Sequence, residues 1–259
     1  MAKQSSFIQN VFKLSSASIF AQSLGILAAP IFARLFSPEQ VGIFALFSSF
    51  TAILAAISTF RLDQAIMLPE DNKEAVNILA ASLLLAFYFS TFLSIFTVAG
   101  IESFFEDTKY ETLIEYLWVI PILIFFRGLN NTLNNWFNRF KFFGFNAIIR
   151  VLNSLSTRVG NIGGGFLGYQ TGSYLIWVTV LISIGEGAIK LIYFFHKSLS
   201  SLGAISIKEI CRLLKRYKKF PIIDTWSILL NVSSIQVAPL LIALFFSSSE
   251  VGYYARGMR

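Results

Sequence analysis

Ala29-Pro30-Ile31-Phe32-Ala33-Arg34-Leu35-Phe36-Ser37-Pro38-Glu39-Gln40-Val41-Gly42 returns near the other end of the chain as Ala238-Pro239-Leu240-Leu241-Ile242-Ala243-Leu244-Phe245-Phe246-Ser247-Ser248-Ser249-Glu250-Val251-Gly252. One inserted residue apart, the two stretches share Ala-Pro at the front, Leu-Phe then Ser in the middle, and Val-Gly followed by aromatic residues. A repeat spaced by roughly 210 residues in an apolar chain marks a two-lobed transporter. With Arg259 as its last residue, the sequence is expected to hold one lobe and the beginning of the other.

The composition makes the bilayer the solvent. Hydrophobic residues are 55% and charged residues 14%, and mean hydropathy is +0.67, whereas charged residues are about a quarter of an ordinary soluble domain. The net charge of +7 would suggest nucleic acid only if Lys and Arg gathered on one soluble face. They sort by membrane side instead, so no nucleic-acid partner is expected. One cysteine and one histidine exclude an internal disulfide and the usual zinc sites, and no cofactor or metal is expected.

Apolar runs of about 20 residues cross the hydrocarbon as helix. Seven are read, at approximately 14–36, 41–60, 75–100, 112–131, 145–168, 173–195 and 222–246, with an eighth beginning at Val251. The first is too long for a cleaved leader. With the N-terminus inside, the inner segments carry Lys3, Lys13, Arg61, Lys73, Arg139, Lys141, Lys197, Lys208, Arg212, Lys215, Arg216, Lys218 and Lys219. The outer loops carry only Lys109, beside Glu102, Glu106, Asp107 and Glu111, which fixes the orientation. Six spans separate the copies, so both enter in the same direction and the repeat is parallel. The expected fold is therefore all-α, a polytopic membrane helix bundle. It comprises a six-helix lobe (1–196), a basic cytoplasmic linker (197–221), and the first helix and start of a second, parallel-repeat lobe (222–259).

In the linker, Ile207, Ile210, Cys211, Leu214 and Tyr217 recur at helical spacing among Lys208, Arg212, Lys215, Arg216, Lys218 and Lys219. This is either an amphipathic helix on the inner leaflet or a solvated connection whose charges set topology. In the first span, Ala21, Gly25, Ala29 and Ala33 form a small-residue seam for close helix packing. The repeated Pro30 and Pro239 mark either a hinge or a static kink.

The fifth span carries the chemistry. Arg150, Asn153, Ser154, Thr157, Arg158 and Asn161 fall on one helical face, and Val151, Leu152, Leu155, Val159 and Ile162 on the other. An arginine near the midplane costs about 3 kcal/mol on the lenient insertion scale, so the stripe must face protein or water. Arg158 lies about 20 Å along the helix at a rise of 1.5 Å per residue. The fourth span repeats the pattern with Arg127, Asn130, Asn131, Asn134, Asn135 and Asn138. Either the two stripes line one cationic cavity suited to phosphate and sugar hydroxyls, or these asparagines pass the membrane edge and Arg127 snorkels. Glu186 and Lys190, one helical turn apart in the sixth span, are a self-neutralising pair or a proton or sodium coupling site. Gln22, Ser15 and Ser18 add weak polar lining, while Arg34 and Arg61 read as interfacial anchors. His196 stands alone, Gly163-Gly164-Gly165 reads as a packing feature, and no catalytic constellation emerges.

Three motifs carry a family resemblance: Ala33-Arg34-Leu35-Phe36-Ser37-Pro38-Glu39-Gln40-Val41-Gly42, Phe60-Arg61-Leu62-Asp63-Gln64-Ala65-Ile66-Met67-Leu68-Pro69-Glu70-Asp71, and Trp136-Phe137-Asn138-Arg139-Phe140-Lys141. In their order and spacing the chain resembles the oligosaccharide flippases of bacterial polysaccharide biosynthesis, the O-antigen type within the multidrug, oligosaccharidyl-lipid and polysaccharide exporters. The resemblance implies two helical bundles around a cavity that opens alternately to each side of the cytoplasmic membrane. It implies a lipid-linked oligosaccharide as substrate, moved from the inner to the outer leaflet and driven by an ion gradient. Arg127, Arg150 and Arg158 are the positions it assigns to the anionic carrier, with Asn130, Asn134, Asn153, Thr157 and Asn161 beside them as substrate-binding residues. A multidrug exporter, whose cationic substrates favour acidic linings, and a non-transporting scaffold that partners a polysaccharide assembly complex are the alternative classes.

Overall fold

Ser37-Pro38-Glu39-Gln40 starts a helix for local reasons. The Gln40 amide donates to Ser37 Oγ (3.4 Å), Pro38 lacks only an amide proton that the first turn leaves unpaired, and Glu39 favours the positive end of the helix dipole. The structure, a computed structural model, describes residues 19, 22–23, 25–100 and 110–258. All regular elements among them are helical. They are α1 (Gly25–Leu35), α2 (Pro38–Ile57), α3 (Asn72–Val98), α4 (Ile120–Arg139) and α5 (Phe143–Phe166). Then follow α6 (Gly172–Ser198), α7 (Ile207–Arg216), α8 (Thr225–Phe245) and α9 (Ser248–Gly257).

Four described segments are long and apolar enough to cross a membrane: Pro38–Ile57, Asn72–Val98, Gly172–Ser198 and Phe220–Phe245. The chain is an all-α membrane helix bundle. With 20 residues in α4 and 24 in α5, these helices match the others in length. Their arginines and amides lower their hydropathy; Asn130, Asn146 and Asn161 are buried, while Asn131 and Arg150 on the same faces stay exposed. The opposite side of α5 behaves as its periodicity predicts, with Leu152, Leu155 and Val159 exposed on the outside of the bundle. Most of the first 24 residues, including Ser15, Ser18 and Ala21, and the acidic 101–109 loop lie outside the described residues, so the first span is described mainly from Gly25 onward.

The helix predicted over 112–131 is displaced by eight residues. Glu111–Tyr116 forms a 3-10 segment, and α4 begins with Pro121 in its first turn, where a missing amide proton costs nothing. The asparagines 134, 135 and 138 therefore continue the helix. Asn135 Nδ2 donates to Asp63 Oδ2 at 2.8 Å, and Asn138 Oδ1 accepts from Asn146 Nδ2 at 2.8 Å, so both amides meet neighbouring segments.

The repeat closes on itself. α2 packs on α8 and α9, and the contact is reciprocal at the two Val-Gly positions. A Cβ on Gly42 would overlap the Ser248 carbonyl oxygen, and one on Gly252 would overlap that of Pro38. In the repeat alignment Pro38 corresponds to Ser248 and Gly42 to Gly252. Each copy thus offers its glycine to the first turn of the other, the signature of a two-fold contact between like elements.

One core forms where α3, α4 and α7 meet, around Leu79, Trp136, Phe137 and Leu213. A second, around Phe47, Leu123, Ile176 and Val251, joins α2, α4 and α6 to α9. The third motif explains itself in the first of these. Trp136 and Phe137 are fully buried, while Arg139 donates to the carbonyl oxygens of Ile66 (3.0 Å) and Glu70 (3.3 Å) and to Asn72 Oδ1 (3.0 Å). Lys141 takes a left-handed φ of 61° to turn the chain into α5.

The linker is helical as its pattern predicts, but its face is divided. Ile210 and Leu213 are buried against α3, whereas Ile207 and Cys211 are exposed. Arg212 and Arg216 pair with Glu74 of α3 at 2.9 and 3.1 Å. Protein therefore covers part of the surface that sequence alone offered to the leaflet.

Candidate functional site

Polar side chains at helical spacing on α4 and α5 face each other because their other faces are apolar and lie outward or in the cores. Between them and their neighbours lie three adjoining cavities. The first, about 520 Å³, is lined by Asn134, Asn138, Asn146, Arg150, Asn153, Ser154, Thr157, Arg158 and Glu186. The second, about 420 Å³ between α1, α2 and α5, is lined by Gln22, Gly25, Ala29, Phe44, Thr157, Arg158 and Asn161. The third, about 570 Å³, lies toward α8 and is walled by Arg61, Arg127, Asn130, Asn131, Asn134, Asn153, Thr157, Glu186 and Gln236. Thr157 belongs to all three, Arg158 joins the first two, and Asn134, Asn153 and Glu186 stand between the first and third. The recess is continuous in its walls.

The predicted residues come together as follows. Arg127, Asn130 and Asn134 share the third cavity with Asn153 and Thr157, Arg150 and Arg158 share the first, and Asn161 opens on the second. Lys190 is placed differently. It is fully buried behind the wall, ion-paired to Glu186, with its Nζ donating to the Asn130 carbonyl at 3.4 Å. Glu186 also accepts from Asn153 Nδ2, so one carboxylate links the α5 stripe to the buried lysine. It reaches a fourth, smaller crevice between α5 and α6 as well, with Leu152, Leu181 and Ile189.

Gly25 of the predicted seam has a particular neighbour. A Cβ there would stand 2.9 Å from Arg158 Nη2, so the missing side chain makes room for the guanidinium. Of the three consecutive glycines, Gly164 lies against the Tyr174 ring and Gly165 against Leu35, as a packing role requires.

Lining residues that the sequence reading misses include Asn146, Gln236 and Arg61, beside Thr179 and Ser183 of α6. Asn146 lies one turn before Arg150 on the same face, and extending the stripe would have found it. Gln236 is a single amide in an apolar helix; it accepts from Ser49 Oγ at 3.1 Å across the α2–α8 contact. Arg61 reads in sequence as an anchor, because nothing there distinguishes a span-end arginine from one that lines the recess.

The chemistry on offer is specific. Arg61 and Arg158 each keep a buried Nε without a hydrogen-bond partner, and Asn130, Asn146 and Asn161 each keep a buried Oδ1 in the same condition. Guanidinium donors suit phosphate or carboxylate oxygens, and lone amide oxygens suit hydroxyl donors. Among the described residues, no group of three or more His, Cys, Asp or Glu side chains could hold a metal.

A family model described as "Polysaccharide biosynthesis protein" matches residues 31–259. No curated protein and no solved structure matches the chain.

Proposed function

We propose that this chain, which belongs to the polysaccharide biosynthesis protein family, moves a lipid-linked oligosaccharide across the membrane. Membership gives the coarse role, a part in making or exporting polysaccharide. The observation that carries the finer reading is the shared recess. Each of its three cavities presents at least one arginine together with an asparagine whose amide oxygen lacks a partner. Arginines meet the phosphate of a lipid carrier, and amides meet the hydroxyls of its sugars. Arg127, Arg150 and Arg158, with Asn130, Asn134, Asn153, Thr157 and Asn161, are the substrate-binding residues of this proposal. A cationic drug would find this lining repulsive, which favours the flippase over a multidrug exporter.

The Glu186–Lys190 pair is the proposed coupling element. Glu186 bridges the substrate wall and a buried lysine, so protonating it, or engaging it with sodium, would release Asn153 and leave the Lys190 charge uncompensated. That couples an ion to the shape of the recess. The proposed setting is the bacterial cytoplasmic membrane with the N-terminus inside, and the transport proceeds by alternating access from inner to outer leaflet.

The test is export of the lipid-linked unit in cells that depend on this protein, comparing wild type with Arg150→Ala and Arg158→Ala at matched protein level. Loss of export by both supports the reading, and unchanged export would favour a scaffold that only assembles partners.

A further inference from the structure

Arg61 sits at an unusual turn. The residues after α2, Phe60 and Arg61, have φ of 48° and 59°, a left-handed backbone that costs a non-glycine residue about 1–2 kcal/mol. Such conformations persist where their surroundings over-determine them, and they often serve a site. The surroundings here are explicit. Thr59 Oγ1 donates to Asp63 Oδ1 at 2.6 Å, Asn135 Nδ2 donates to the other oxygen, and the Phe60 ring stands edge-on to Phe89. Asp63, the nearest carboxylate in sequence, is thus occupied by two neutral donors.

Arg61 is left unneutralised. Its Nε is buried with no hydrogen-bond partner, and neither Arg61 nor Arg127 forms an ion pair among the described residues. Both line the third cavity. Two like charges facing one partly desolvated space repel each other, a cost that a bound anion would reverse. In the same wall, Asn130 donates through Nδ2 to the Ser183 carbonyl (3.0 Å) and leaves Oδ1 without a donor.

We propose that Arg61 and Arg127 form a phosphate-binding subsite, separate from the one at Arg150 and Arg158, with Asn130 Oδ1 placed to accept a hydroxyl from the same ligand. The ligand class is a sugar phosphate or sugar diphosphate. The strained turn is what aims Arg61 away from the interface and into the cavity. This inference rests on the reading of the recess as an anion receptor and adds to it a second position for the anion, toward α8.

The experiment is calorimetric titration of the purified full-length protein in nanodiscs with inorganic pyrophosphate, for wild type, Arg61→Asn, Arg127→Gln and Arg158→Gln. Asparagine tolerates the left-handed conformation, so Arg61→Asn removes the charge and keeps the turn. Loss of a charge-assisted hydrogen bond is expected to weaken binding at the third cavity by about tenfold or more for Arg61→Asn and for Arg127→Gln. Combining the two should cost less than the product of the single effects, because they hold one ion. If Arg61→Asn lowers the thermal midpoint, Arg127→Gln, within a regular helix, reads the same subsite. Unchanged affinity in both variants, with weakened binding in Arg158→Gln, overturns this subsite alone. Unchanged affinity in all three overturns the anionic recess as well.

Discussion

Gly42 and Gly252 meet across the α2–α9 contact, the Gly252 amide nitrogen lying 3.2 Å from where a Cβ on Gly42 would stand. The two residues are counterparts in the repeat, so the sequence similarity that first suggested two copies is also the surface by which the copies touch. Because backbone atoms, rather than flexible side-chain ends, fill the space, neither position can accept a larger residue without moving a helix.

Gly42→Val and Gly252→Val are each expected to destabilise the full-length protein by about 1–3 kcal/mol, the usual cost of overpacking, or more. The two effects should be similar, since the Ser248 and Pro38 carbonyls occupy matching places. Thermal unfolding in detergent measures this, and a tolerated valine at either position would contradict the reciprocal contact.

Gly25→Val should displace the Arg158 guanidinium, whose Nη2 lies 2.9 Å from the position of a Cβ. Export is expected to fall nearly as far as in Arg158→Ala, and the double variant to be no worse than the single ones. Additive losses would show that Gly25 acts on something else.

Glu186→Gln leaves Lys190 buried without its counter-charge. Removing one partner of a buried pair costs about 3–5 kcal/mol, and the residual exposure of Glu186, 18% of its side chain, places the expectation at the lower end. Glu186→Gln/Lys190→Met should recover most of that stability and yet make export insensitive to collapse of the ion gradient. A stable double variant that exports with normal gradient dependence would assign the pair to structure alone.

Arg139→Ala removes donors from Ile66, Glu70 and Asn72, with an expected loss of about 1–3 kcal/mol. Arg139→Lys should rescue only part, because an ammonium cannot span three acceptors in the guanidinium's plane. Export per folded molecule should be unchanged, which separates this arginine from those of the recess.

Periodicity made the helices legible, and most of the α5 stripe with them, because an amphipathic helix writes its polar face into every third and fourth residue; Asn146, one turn before Arg150, belongs to the same face and escaped that reading. For α4 it left two readings open, a shared cavity or a membrane-edge extension, and Arg127 and Asn130 lie together in the wall of the third cavity. It failed where backbone conformation decides. The start of α4 lies eight residues later than hydropathy suggested, since Glu111–Tyr116 is a 3-10 segment and Leu113, Tyr116 and Leu117 pack into the core shared by α2 and α6. Arg61 looks in sequence like any arginine at a span end, and only the wall of the third cavity shows where it points. The linker helix misled in another way, because periodicity gives a buried face without saying whether lipid or protein covers it.

The most direct measurement is transport itself: transfer of the lipid-linked oligosaccharide to the outer leaflet by the full-length protein carrying Arg150→Ala or Arg158→Ala, with protein level and thermal stability matched to wild type. The cationic recess predicts a loss of transport of at least tenfold in each variant. Transport at the wild-type rate in both would contradict it.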